Sequence, residues 1–184
     1  MKQFLHYRFI LSSFFCICLY FTLLFPAFSQ LTDDFSDGNF TANPTWIGAN
    51  SVNATTGFIV NGSNQLQTTI PAGGTGTRFA YLSTPITLNL ATTNYEWNFN
   101  VQLTFTTPNL ANSTNRAKIY LFSDQSNLST SLNGYFIEIS DKVTLQKQVG
   151  TTETVLPLSN GTVTALSTPL NVNVRVIYIA NSNS

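Results

Sequence analysis

The sequence predicts an all-β protein, an antiparallel two-sheet sandwich, and three observations lead there. From Tyr95 to Phe105, the residues Tyr95, Trp97, Phe99, Val101, Leu103 and Phe105 alternate with Glu96, Asn98, Asn100, Gln102 and Thr104. A strict period of two over that length describes a strand with one buried face and one wet face. Beyond the leader no stretch carries helical spacing of its apolar residues. Pro44, Pro71, Pro85, Pro108, Pro157 and Pro169 all fall between the apolar runs, where no ladder needs their missing N–H.

The elements follow in order. Lys2 and Arg8 precede an uncharged run from Phe9 to Phe25, and Ala27-Phe28-Ser29 then places small residues where a signal peptidase reads. Residues 1–29 are therefore expected to be a signal helix cleaved after Ser29. The run also reaches the lower limit for spanning a bilayer, so an uncleaved anchor is the alternative. Short strands are expected at Phe58–Val60 and Gln65–Ile70, with Asn61-Gly62 as the turn between them. Gly73-Gly74-Thr75-Gly76 reads as a loop without the ending of a phosphate-binding motif. Further strands are expected at Thr77–Ser83 and Ile86–Leu90 before the long run that starts at Tyr95.

Asn115–Phe122 sets Ala117, Ile119 and Leu121 against Arg116, Lys118, Tyr120 and Phe122. Gly134–Ser140 sets Tyr135, Ile137 and Ile139 against Phe136 and Glu138, and Val143–Val149 follows closely enough to form a hairpin with it. Leu170–Ala180 is a long alternating strand with only Asn181-Ser182-Asn183-Ser184 after it. A long strand left at a sheet edge is a hazard that native chains avoid. The chain is therefore expected to stop inside its domain, with closing strands and further domains downstream. Residues 30–184 read as one domain, without internal repeat or linker.

Removing the leader removes both cysteines, the only histidine and the only methionine. What remains has eight acids against six bases, a net charge of −2, and no charge run. Nucleic acid, which needs clustered Lys and Arg, is not an expected partner, and no polybasic patch draws the cleaved chain to a membrane. Without disulfides the domain must be held by its core, and a chain of this length buries about 68–70% of its unfolded surface. Serine and cysteine hydrolases lack their His base here, and His- or Cys-built zinc sites lack their ligands.

Asp34-Phe35-Ser36-Asp37-Gly38-Asn39-Phe40, with Asn43-Pro44-Thr45-Trp46-Ile47-Gly48 after it, resembles the opening of a jelly-roll domain of secreted bacterial multidomain proteins. Gly57-Phe58-Ile59-Val60, Asn64-Gln65-Leu66-Gln67, Gly134–Ile139 and Val143–Gln148 continue the pattern. The domain is similar to concanavalin-A-like lectin and glucanase sandwiches, over about residues 32–180. The resemblance implies a jelly roll missing its last strands, often followed by lamin-tail-like, immunoglobulin-like or sorting modules. It implies no single activity.

Function is expected to be non-catalytic: a secreted or cell-surface module that binds polysaccharide or a surface glycan. Trp46, Tyr120, Phe122, Phe136 and Glu138 are the candidate ligand-binding residues, the aromatics because sugar rings stack on them. A glycoside hydrolase is the alternative, since it needs only two carboxylates about 5–9.5 Å apart. Glucanases of the similar fold carry Glu-x-Asp-x-x-Glu on one strand. Here Glu138 is followed by Ser140 and Val143 at the other two places, so its partner would come from elsewhere, Glu96 or Asp124 among the choices. A structural spacer or adhesin stalk is the third reading. Asp33, Asp34, Asp37 and Asn39 are the candidate ligands for Ca²⁺, which favours such oxygens, although Phe35 breaks EF-hand spacing and plain turns share this composition. Asn-x-Ser/Thr triplets begin at Asn39, Asn53, Asn61, Asn112, Asn127 and Asn160; they fit glycosylation, and a chain rich in Asn and Thr also produces them by chance.

Overall fold

The computed structural model describes residues 31–51, 56–69, 78–103, 116–140, 142–157 and 170–180. The expected signal helix, the Gly73–Gly76 loop and the last four residues lie outside the described residues. The chain divides into two compact units, 1–32 and 33–184, and the architecture below belongs to the second.

Among the described residues there is no helix, and ten strands form four antiparallel sheets. β1 (Ile47–Asn50) pairs with β4 (Ala80–Ser83), and β2 (Phe58–Val60) with β3 (Leu66–Thr68). β5 (Tyr95–Leu103) pairs with β10 (Leu170–Tyr178). β6 (Ala117–Ser123), β7 (Leu132–Ile139), β8 (Val143–Gly150) and β9 (Thr152–Val155) make a four-stranded sheet in that order.

The long period-two runs become the long strands. Along β5, intermediate and exposed residues alternate as the sequence predicts, ending on buried Leu103. Val176, Val174 and Val172 of β10 stand opposite Trp97, Phe99 and Val101. Leu103 shares a buried cluster with Leu121, Ile137 and Ile139, and Trp97, Phe99, Val101, Val174, Val176, Ala117, Ile119, Val143 and Leu145 pack against it. The two larger sheets thus bury one common core, which is the source of most of the stability such a domain can have.

Three local readings need correction. Residues 86–90 are not a strand: the Asn89 N–H donates to the Tyr95 hydroxyl at 2.6 Å, and the Asn89 carbonyl accepts from Thr93 at 3.0 Å. The chain turns there instead of pairing. In the β2–β3 hairpin, the residue with positive φ is Asn64 (56°), not Gly62. Asn61 and Gln65 close a three-residue loop whose last residue is left-handed. The third concerns Phe122. A bulge between Tyr120 and Phe122 shifts the β6–β7 register, so that Tyr120 faces Phe136 but Phe122 faces Tyr135. The extra residue moves Phe122 to the core side, where it packs against the buried cluster.

The outward face of β5–β10 is amide-rich and exposed. Asn100 Nδ2 donates to the Asn171 and Asn173 side chains at 2.5 and 2.9 Å, and Arg175 closes an ion pair with Glu96 at 2.7 Å. The Arg175 hydrogen bond, helped by Asn98, holds the Glu96 carboxyl at about 2 against an ordinary value of 4.5. A carboxylate depressed in the folded state stabilises above its unfolded pKa and loses that contribution as pH falls through the folded one. Glu96→Gln is therefore expected to lower the denaturation midpoint at pH 6, with the gap to the parent chain closing between pH 4.5 and 2. Urea titrations at several pH values check it; a gap that does not change with pH would refute it.

Candidate functional site

The four-stranded sheet has a second face, turned away from the shared core. Strand alternation places Lys118 and Tyr120 of β6, Phe136 and Glu138 of β7, Gln146 and Gln148 of β8, and Glu153 of β9 on it. Three of the candidate ligand-binding residues, Tyr120, Phe136 and Glu138, therefore come together. Phe122 is excluded by the bulge.

At the centre lies Phe136, fully buried at 0% exposure. The Tyr120 ring packs on it at 5.0 Å, tilted by 39°, and the Lys118 ammonium stands 4.8 Å from its centroid. Such a cation over a ring gains about 0.5–2 kcal/mol. Phe136 thus forms the floor of the face and offers no open ring to a sugar.

The polar groups around it are tied to one another. Tyr120 donates its hydroxyl to Gln148 Oε1 at 2.5 Å, and Gln148 Nε2 donates to the Gly150 carbonyl at 2.9 Å. Gln146 and Gln148 are both 6% exposed, and buried amides keep such partners because an unmade hydrogen bond is expensive. Burial, and then the negative charge of Glu153, push the Tyr120 hydroxyl up to about 12. It remains a neutral donor across the physiological range.

Four of the chain's few charges gather here. Arg116 Nη1 lies 2.8 Å from Glu138 Oε2 and 3.6 Å from Glu153 Oε2, and Lys118 pairs with the other Glu153 oxygen. Lys118 and Glu153 start from the two outer strands, so their ion pair crosses the sheet above β7 and β8. It forms a charged strap beside the Phe136 ring. Glu138 is only 13% exposed in its side chain. Partly dehydrated charges are costly unless paired, and here each is paired.

The sequence does not reveal Glu153 as the partner of Glu138. It sits on a four-residue strand, Thr-Glu-Thr-Val, with no apolar alternation. One signal was present: Gly150 before Thr151, whose φ of 64° suits the two-residue hairpin loop that joins β8 to β9. Glu96 lies on the other large sheet, held by Arg175. Asp124 clamps Asn133 through bonds of 2.7 and 2.8 Å.

The remaining candidates are placed elsewhere. Trp46 is half-buried and its indole N–H donates to Asp33 Oδ2 at 2.7 Å. Asp33, Asp34 and Asp37 each accept the N–H two residues on, from Phe35, Ser36 and Asn39, at 2.9, 3.0 and 3.1 Å. Asn39 does the same with Thr41 at 2.9 Å. This is a run of Asx turns, and the carboxylates serve their own backbone. Among the described residues no group of three His, Cys, Asp or Glu side chains converges as a metal site.

No family model, no curated protein and no solved structure matches the chain.

Proposed function

We propose that this is a non-catalytic secreted or cell-surface module, a jelly roll of the concanavalin-A-like kind, that binds a polysaccharide or surface glycan. The binding face is the one built on Lys118, Tyr120, Glu138 and Glu153. The observation that carries the reading is the gathering of two cations, two carboxylates and a neutral phenol around an aromatic floor, in a chain otherwise poor in charge. Sugar hydroxyls both donate and accept, so a face with fixed donors and fixed acceptors suits them. Stacking contributes little, because the one central ring is covered.

A second reading, glycoside hydrolysis, is favoured by one observation: Glu138 and Glu153 reach the same Arg116 nitrogen. Two carboxylates that close are what such chemistry uses. The non-catalytic reading is preferred because both are closed into ion pairs, whereas a general acid needs a carboxyl kept protonated by apolar surroundings.

Both are tested by retention on a panel of insoluble and soluble polysaccharides, with reducing-end release measured on those retained. Retention is expected on at least one, without release of reducing ends. Glu138→Gln is expected to weaken it about tenfold or more, since a hydrogen bond to a charged group contributes about 1.5–3 kcal/mol. Unchanged retention in Glu138→Gln, or no retention on any polysaccharide, would overturn the binding face. Reducing ends released by the parent chain but not by Glu138→Gln or Glu153→Gln would establish the hydrolase instead.

A further inference from the structure

We propose that Asn39 and Asn127 are acceptor sites for an N-linked glycan on the folded protein, and that Asn61 is not. The proposal is independent of the carbohydrate-binding face and draws only on the reading of the chain as exported. All three begin an Asn-x-Ser/Thr triplet, Asn39-Phe40-Thr41, Asn61-Gly62-Ser63 and Asn127-Leu128-Ser129, the acceptor pattern for such modification. What separates them is the side-chain geometry.

At Asn127 the Ser129 hydroxyl donates to Oδ1 at 2.6 Å and the Ser129 N–H donates to the same oxygen at 3.1 Å. At Asn39 the Thr41 hydroxyl and N–H do likewise, at 3.3 and 2.9 Å, and Ala42 adds a third N–H at 3.0 Å. In both, the carbonyl end of the amide is turned inward and fixed. The nitrogen is thereby directed away from its own turn, and no described residue is recorded holding it. Asn127 is exposed and Asn39 half-buried. The loop around Asn127 is closed at its base by Asp124, which accepts from both the backbone and the side chain of Asn133.

Asn61 is bound at both ends. Its Oδ1 accepts from the Ser63 and Gln65 N–H groups at 2.9 and 3.1 Å, and no Ser63 hydroxyl bond to it is recorded. Its Nδ2 donates to the Gln65 and Gln67 side-chain oxygens at 3.3 and 3.2 Å. The nitrogen that would have to react is held across the β2–β3 hairpin.

The reaction joins Nδ2 to the anomeric carbon of a lipid-diphosphate-linked oligosaccharide. The carbon–oxygen bond to the diphosphate breaks, the lipid diphosphate leaves with the bonding pair, and one Nδ2 proton passes to a base of the transferase. Its requirement for a reachable nitrogen is what the geometry meets at two sites and fails at the third.

The test is transfer in vitro to the full chain, folded or denatured, using membranes that contain an oligosaccharyltransferase and its lipid-linked donor, followed by peptide mapping. The expected result is modification of Asn39 and Asn127 in the folded chain, and of Asn61 only after denaturation. Asn39→Gln and Asn127→Gln should each remove one glycan. Modification of Asn61 in the folded chain to the extent of the others would overturn the proposal. So would modification of Asn39 and Asn127 only in the denatured chain.

Discussion

Replacing Phe136 with alanine is expected to lower the unfolding free energy by about 3–5 kcal/mol, the usual cost of truncating a fully buried aromatic. A domain of this size has about 5–15 kcal/mol in total, so the variant would stand near the edge of folding. Phe136 is 0% exposed although it lies on the face away from the Leu121–Ile137 cluster, and removing the ring would strip the support from two neighbours at once. The Tyr120 ring would lose its partner at 5.0 Å, and the Lys118 strap would cross a void. Water entering that void would loosen the charge cluster that the ring helps to keep dry. Chemical denaturation measures the loss. Val155→Ala, at a residue 58% exposed, should change stability by less than about 0.5 kcal/mol. A similarly small change for Phe136→Ala would mean that the ring is not the floor of this face.

The sequence carried the strands whose pattern is long and regular. β5, β7, β8 and β10 each follow from a period-two run, because a half-buried strand imposes that period on its own residues. Their partnership did not follow. β5 pairs with β10 over all nine positions, yet nothing in either run names the other, since pairing of distant strands is decided by the packing of the whole chain. Among the short elements β2, β3 and β4 lie within the expected runs, but others failed, in both directions. Ile86–Leu90 has strand composition but is turned by Asn89 and the Tyr95 hydroxyl. β9 is a strand with almost no apolar content, held by its backbone pairing to β8 and by the ion pairs of Glu153 with Lys118 and Arg116.

The candidate site shows the same division. Tyr120, Phe136 and Glu138 were legible because alternation assigns faces. Arg116 and Lys118 fall on the same face by the same alternation, but Glu153 does not follow from it, because it reaches the face from a short outer strand without apolar pattern. The Asp33–Asn39 segment reads more readily as a series of turns than as an ion site, because surface turns share its Asp, Asn and Gly. The N–H groups two residues ahead of each acid supply the turns.

Phe122 was misassigned for a reason that can be tested. Alternation fails at a bulge, and the bulge between Tyr120 and Phe122 is fixed by a glycine on the facing strand. A Cβ on Gly134 would meet the Phe122 carbonyl oxygen at 2.5 Å and the Ser123 Cα at 3.2 Å. Both are backbone atoms, so no side-chain rotation can relieve the clash. Gly134→Ala is expected to lower the unfolding free energy by about 1–3 kcal/mol, as overpacking does, against the small gain that removing a strand glycine would otherwise bring. Gly62→Ala is the control: nothing lies within 4 Å of its Cβ and its φ is not positive, so it should be neutral or slightly stabilising. Denaturation of the two variants side by side measures the difference. If Gly134→Ala matched Gly62→Ala, the close approach would not be what sets the bulge. The core would then have to pull Phe122 inward unaided, and a Phe122→Ser variant would be the one to shift the register of β6.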